Sequence, residues 1–225
     1  MGKNVLITEI TNPIGQELGK LFSINGYNVI GTNSSKTNSV ESSQPSGEIK
    51  GGKIISLKWT KSSPVSARNV VLQARNKFET IDIAIIIQIF PGQNKLFNEI
   101  EFHKIESLID ENAIGPLFLA REILKHYYQN RPKETKILSF IQYSESPLNY
   151  STPLEAFLRK GIEGFIKSQA QINENPEIIM NLFFSRINRI ESPREYAEYI
   201  FLSLTERAKK TNGKILNYSG KRRLF

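Results

Sequence analysis

The sequence predicts an α/β chain of the open, doubly wound kind, a seven-stranded parallel sheet held between two layers of helices. Three observations predict it. Short apolar runs alternate with amphipathic stretches along the chain, which is the pattern of β-α units. The most apolar run, residues 81–89 (IDIAIIIQI), is uninterrupted enough to be buried on both faces at the sheet centre. No linker or internal repeat divides the 225 residues, so 1–225 reads as one unit.

Each element has its own signal. Residues 4–8 (NVLIT) form the first strand, and 14–25 place Ile14, Leu18, Leu21 and Phe22 at helical spacing before Gly26 ends the helix. Residues 27–32 and 53–57 are the second and third strands. The stretch 33–52 between them is rich in Ser, Thr, Asn and Gly around Pro45, and reads as a flexible loop in place of a crossover helix. Residues 64–78 are amphipathic, with Val70, Val71 and Ala74 on one side, and lead into the central strand. The apolar positions of 101–129 predict one long helix, bent near Gly115 and Pro116 because proline lacks the backbone donor. A strand at 136–143 precedes a helix at 153–172, with Thr152 as N-cap and Pro153 in the first turn. A strand at 177–184, a helix opened by Ser192 and Pro193 and running to about 210, and a last strand at 213–218 complete the series. Seven strands in this order, with right-handed crossovers, make a Rossmann-like three-layer sheet. Ligands on such sheets bind beyond the carboxyl ends of the strands.

Composition narrows the chemistry. A hydrophobic fraction of 39% with 23% charged residues excludes disordered and fibrous chains. With no cysteine, disulfide frameworks, zinc ribbons and thiol catalysis are excluded, and with His103 and His126 as the whole histidine complement no metal site is expected. The N-terminal stretch, interrupted by Asn4, Glu9 and Pro13, reads neither as a signal peptide nor as a spanning helix, so a cytoplasmic protein without membrane insertion is expected. The formal charge of +8 is uneven, because from Arg186 onward ten basic residues face four acidic ones. Lys221, Arg222 and Arg223 end this region within the basic tail 219–225. Its functional reading is an anionic protein or nucleic-acid partner, and its plain reading is a solvated face.

In order and spacing, the chain resembles the short-chain dehydrogenase/reductase family over nearly its whole length. KNVLITEITNPIGQELGKLFSINGYNVIGTNSS is similar to that family's first β-α-β unit, IDIAIIIQ to its fourth strand, and IESLIDENAIGPLFLAREIL to its long fourth helix, with the family's Asn at Asn112. RKGIEGFIKSQAQ resembles the segment following the catalytic lysine, EIIMNLFF the sixth strand, and the stretch from Ser192 to Gly220 the C-terminal helix and strand. The resemblance implies a nicotinamide dinucleotide and an Asn, Ser, Tyr and Lys that cooperate. In that set the tyrosine is the acid/base with its pKa lowered by the lysine, the serine holds the substrate carbonyl, and the asparagine supports a water relay.

Several motif positions differ. The family's T-G-x-x-x-G-x-G reads Thr8-Glu9-Ile10-Thr11-Asn12-Pro13-Ile14-Gly15, so a carboxylate and a proline replace two glycines that admit phosphates. Thr8, Asn12, Ile14 and Gly15 are the remaining cofactor candidates there. After the second strand, Asn33, Ser34 and Lys36 offer no acid for a ribose hydroxyl, and Lys58 stands where an Asp near the adenine is usual. The expectation is no cofactor or weak NADP. Ile86, Ile87 and Ile89 fill the family's N-N-A-G segment and read equally as core. Tyr-x-x-x-Lys aligns with Ala156 through Lys160, so the tyrosine is replaced by Ala156, while Lys160, Asn112 and Ser144 are catalytic candidates of a vestigial kind; Tyr143 is the other choice for the serine position. Between Phe184 and the last helix only nine residues stand where the family has a long substrate lid. A catalytically lapsed binding or scaffolding subunit follows, with an NADP-dependent oxidoreductase of unusual site and a dinucleotide-sensing regulator as alternatives. Apolar and small residues on 101–129 and 153–172, among them Leu108, Ala113, Leu117, Phe157, Gly161 and Gly164, suit a homodimer seam.

Overall fold

The computed structural model describes residues 2–33, 54–90, 95–130, 132–144, 152–186 and 192–220. Seven strands, β1 (Asn4–Ile7), β2 (Asn28–Asn33), β3 (Ile54–Lys58), β4 (Ile83–Phe90), β5 (Lys136–Ser144), β6 (Ile178–Arg186) and β7 (Ile215–Asn217), form one sheet in the order β3-β2-β1-β4-β5-β6-β7. Every pairing is parallel. The expected class and order are observed, with strand ends displaced by one or two residues. The expected loop at 33–52, apart from Asn33, falls outside the described residues, as does the tail from Lys221.

The helices divide between the two faces. Helices α1 (Pro13–Ile24) and α6 (Pro193–Glu206) cover one, where Val5, Ile85, Ile141 and Phe183 meet Leu18, Phe22, Tyr196 and Ile200. Helices α2 (Pro64–Phe78), α4 (Gly115–Asn130) and α5 (Pro153–Ile172) cover the other, over Leu6, Ile86, Phe140 and Leu182. Because strand side chains alternate, β4 and β5 are apolar on both faces, which accounts for their unbroken apolar runs. The first turns of α1, α2, α5 and α6 share one construction. A proline opens each, and the N-cap side chain of Asn12, Ser63, Thr152 or Ser192 accepts a backbone N–H.

The predicted long helix is interrupted. Helix α3 (Phe102–Ile109) passes into a π turn (Asp110–Ile114) before α4 begins, so the break precedes Gly115 and Pro116 instead of lying at them. The physical reason is still the proline. Without an N–H, Pro116 cannot bond the carbonyl of Asn112, the turn widens, and that carbonyl is left open to another donor. The last predicted helix stops at Glu206, and Ala208–Thr211 continues as a 3-10 turn. No helix among the described residues is long and apolar enough to cross a membrane.

Candidate functional site

At the carboxyl end of β1 the chain turns sharply into α1. Thr8 holds this turn against β4, its hydroxyl accepting the Ile87 N–H at 2.8 Å. Glu9 adopts a left-handed conformation, φ 50°, which a residue with a side chain rarely takes and which the glycine of the family motif would take freely. Its carboxylate turns toward Lys61 at 2.9 Å, so the feared charge at the phosphate place is neutralised within the fold. Gly15 keeps its motif role. A Cβ there would lie 2.3 Å from the Glu9 carbonyl oxygen. Ile10 explains two further glycines, because a Cβ at Gly31 or Gly19 would lie within 3 Å of its side chain.

The turn's donors are mostly engaged. The N–H of Ile10 bonds the Thr32 carbonyl at 3.0 Å, that of Asn12 the Glu9 carbonyl at 2.9 Å, and that of Ile14 the Asn12 side chain at 3.0 Å. Ile14's side chain is buried in the core beside Leu18, so its amide alone can face a ligand. Asn33 accepts from the Thr11 hydroxyl at 3.3 Å. Ser34 and Lys36 lie outside the described residues. Lys58 lines a cleft of about 770 Å³ whose walls also include Trp59, Lys61, Ser107, Asp110 and Glu111. A dinucleotide fits this platform where the Gly15 cradle and the start of α1 survive, provided the Asn12 side chain yields the Ile14 N–H to a phosphate oxygen.

The catalytic register is the main correction. Lys160 points to solvent, its side chain 63% exposed and paired with Glu163 at 2.8 Å. Ala156 is half-buried and carries no polar group. Leu154, Leu158, Ile162 and Ile166 are the buried stripe of α5, and the polar residues facing inward beside it are Glu155 and Arg159, one position earlier with the same i, i+4 spacing. Glu155 is buried with Oε1 unpartnered, and Arg159 holds its guanidinium 4.6 Å from the centre of the Phe184 ring while its Nε has no partner.

The strands below them carry matching polar groups. Gln88, Gln142 and Ser144 are fully buried on the α5 side of β4 and β5. Tyr143 joins the opposite core with Ile141 and Phe183, which removes it as an alternative for the serine position. Gln142 Nε2 donates to Gln88 Oε1 at 3.1 Å, and Gln88 Nε2 donates to the Asn112 carbonyl that Pro116 leaves open. Asn112 therefore does stand at the site, in the π turn, with its side-chain Nδ2 on the Leu108 carbonyl at 3.2 Å and its Oδ1 unpartnered. Ile86 and Ile87 are core residues on opposite faces of the sheet, and Ile89 packs against one of those cores from a half-buried position.

Sequence reasoning missed Glu155, Arg159, Gln88 and Gln142. The signal that could have found the first two is the stripe at 154, 158, 162 and 166, whose phase turns 155 and 159 inward and 160 outward. Of the catalytic candidates, Asn112 and Ser144 are buried between the sheet and its α5 layer, whereas Lys160, on α5 itself, points away from the sheet into solvent.

A family model described as short chain dehydrogenase matches residues 3–139. No curated protein matches the chain significantly. Among solved structures, a 3-ketoacyl-(acyl-carrier-protein) reductase from Brucella melitensis complexed with NADH superimposes with a TM-score of 0.82 at 18% identity, over 98% of both chains. NADH-dependent reductase A1-R' complexed with NAD gives 0.81 at 16% identity, covering 97% of this chain and 96% of its own. A short chain dehydrogenase from Mycobacterium smegmatis gives 0.81 at 14% identity, covering 98% and 93%. The first two of these structures hold NADH or NAD, which corrects the expectation of no cofactor or weak NADP that Glu9 and Pro13 had prompted. With the parallel order β3-β2-β1-β4-β5-β6-β7, the Gly15 turn and a family model spanning residues 3–139, this chain belongs to the short-chain dehydrogenase family.

Proposed function

We propose that the chain is a nicotinamide-dinucleotide-binding member of its family in which the tyrosine-dependent carbonyl reaction has lapsed, and that it acts by binding, as a sensing or scaffolding subunit. The observation that carries this reading is the inward pair Glu155 and Arg159 on α5, where tyrosine and lysine would act. A nicotinamide ring supplies or takes a hydride when bound, but a developing alkoxide also needs a positioned proton, typically worth roughly 10²–10⁴-fold in rate. Ala156 has none to give, and Lys160 is turned to solvent. Thr8, Gly15 and the Ile14 N–H would hold the diphosphate end, with Lys61 nearby once released from Glu9, and Asn112 and Arg159 would lie toward the ribose and nicotinamide.

The same reading includes a homodimer along α4 and α5. Phe157 is 65% exposed, and Gly161 and Gly164 have nothing within 4 Å of a built Cβ, so this face of α5 is open to close approach. Leu108, Ala120 and Leu124, by contrast, are spent on the chain's own packing. The basic C-terminal region is proposed to contact an anionic protein or nucleic acid.

Calorimetric titration with NAD and NADH, paired with a turnover assay across ketones, acyl thioesters and alcohols, tests the function. Binding without turnover is expected. A second reading, an active oxidoreductase, is favoured by one observation, the unpartnered carboxyl oxygen of Glu155. Turnover by the unmodified protein that Glu155→Gln abolishes would put that reading in place of ours.

A further inference from the structure

We propose that the groove between α2 and α4 is a binding site for a phosphate dianion, free or as the head of a small ester, held by Arg68, Arg75 and Lys125. It is separate from the dinucleotide end of the sheet and does not rest on the function proposed above.

The two helices face each other through matching stripes. Positions 68, 71, 72 and 75 of α2 and 122, 125, 126 and 129 of α4 share the i, i+3, i+4, i+7 spacing of a single helix face, and together they wall a cleft of about 230 Å³. Facing stripes of this kind are ordinarily apolar. Here Val71 and Leu72 are apolar, but Arg68, Arg75, Lys125 and Glu122 carry charge. Arg75 and Gln129 stand in the last turns of their helices, which lead to the amino ends of β4 and β5, so the cleft lies away from the β1–α1 turn.

The charges are not balanced from within. Among the described residues, Arg68, Arg75 and Lys125 make no ion pair, and the Nε of Arg75 is buried without a partner. The carboxylate of the wall, Glu122, already pairs with Arg121, whose side chain is 71% exposed. A helix dipole accounts for a cation in the last turn, as at Arg75, but Arg68 stands in the second turn of α2, where the dipole gives it no support. Gathering unpaired cations around buried atoms is costly, and a hydrogen-bonded anion removes that cost.

His126 adds a neutral donor to the wall. Asn130 Nδ2 donates to the His126 carbonyl at 2.9 Å, which can only accept, and the same nitrogen lies 2.8 Å from His126 Nδ1. The amide therefore donates to Nδ1 as well, and the neutral ring carries its proton on Nε2. Burial first, then Arg75 and Lys136, against Asp82, keep this ring neutral at pH 7, with a pKa of about 4. The wall sets three formal positive charges against one negative, so a dianion neutralises it and a carboxylate does not. A phosphate also brings several acceptor oxygens, which suit the forked guanidinium groups.

NMR titration of the full chain, without dinucleotide, tests the proposal with inorganic phosphate, phenyl phosphate and benzenesulfonate, which keeps the tetrahedral head but has a single charge. The two histidines report separately, His126 on this groove and His103 on the cleft beside Lys58. Both phosphates should shift the His126 ring resonances, and benzenesulfonate should bind about fivefold more weakly than phenyl phosphate or worse. Tighter binding of phenyl phosphate than of inorganic phosphate assigns the ester, and equal binding assigns the free ion. Arg68→Gln and Lys125→Gln should each weaken phosphate binding about fivefold, and Lys77→Gln, exposed on α2 outside the cleft, should leave it unchanged. Arg68 and Lys125 are exposed, so these variants keep the fold, which circular dichroism checks. A His126 signal that neither phosphate moves, a shift at His103 alone, equal binding of sulfonate and phosphate, or an equal loss in Lys77→Gln would overturn the proposal. The NAD and NADH titrations are separate experiments, so either proposal can fail alone.

Discussion

Substituting Glu9→Gly restores the family's glycine and should move stability and cofactor affinity in opposite directions. Glu9 holds φ at 50°, and a left-handed residue with a side chain costs roughly 1–2 kcal/mol. Glycine removes that strain but adds about 0.5–1 kcal/mol of freedom to the unfolded chain, so the backbone contributions nearly cancel. What remains is the ion pair with Lys61 at 2.9 Å, whose side chains are only 11% and 13% exposed. Removing one partner strands a largely buried ammonium, at a cost of about 1–3 kcal/mol. For a domain of this size that is a fall in Tm of roughly 2–10 °C. At the diphosphate the same change deletes a negative charge and uncovers a positive one. After screening this is worth about 1 kcal/mol, or roughly fivefold tighter binding of NAD or NADH. Differential scanning calorimetry and calorimetric titration read the two effects separately. A variant that melts higher, or whose affinity is unchanged or weaker, would refute the reasoning about the Glu9 turn.

Other outcomes follow from particular contacts. Burial, with help from Arg75 and Lys136 and opposed by Asp82, lowers the His126 pKa to about 4 from 6.5, so the unfolded chain binds the proton more readily. The stability His126 contributes is present above pH 6.5 and is lost as pH falls toward 4; urea melts at pH 7 and 5 should show this slope, flattened in His126→Gln. Asp82 accepts the Asn4 N–H at 2.7 Å and pairs with Lys136, so Asp82→Ala should cost about 2–4 kcal/mol in denaturant melts. Arg159→Ala should cost roughly 1–2 kcal/mol through the lost stacking on Phe184, whereas Lys160→Ala should stay within about 0.5 kcal/mol. Phe157→Asp should shift sedimentation from dimer to monomer if the open face of α5 is the seam.

The fold was legible because its signals are local and repeated. The apolar run 81–89 marked a central strand and 136–143 a further strand, and prolines behind Thr152 and Ser192 marked two helix starts, while the same construction at Asn12–Pro13 and Ser63–Pro64 went unread. The local geometry at Gly15 and Asn112 was legible because Glu9 and Leu108 lie within a few residues of them, whereas Thr8 is held by Ile87, 79 positions away. The site was misread on α5, where aligning on the surviving lysine outweighed the phase of the apolar stripe. Gln88 and Gln142 were beyond reach for a different reason. A glutamine inside an apolar strand looks like an isolated oddity until the adjacent strand supplies its partner, and that pairing joins residues 54 positions apart.

The missing N–H of Pro116 reaches further than its own helix. It frees one carbonyl, which orients Gln88, which orients Gln142, so a residue in α4 writes the polarity of two strands in sequence. The relay has no slack, because each amide has a single answer to the one before it. Returning a donor with Pro116→Ala would let the helix reclaim the Asn112 carbonyl and leave both glutamines free to turn over.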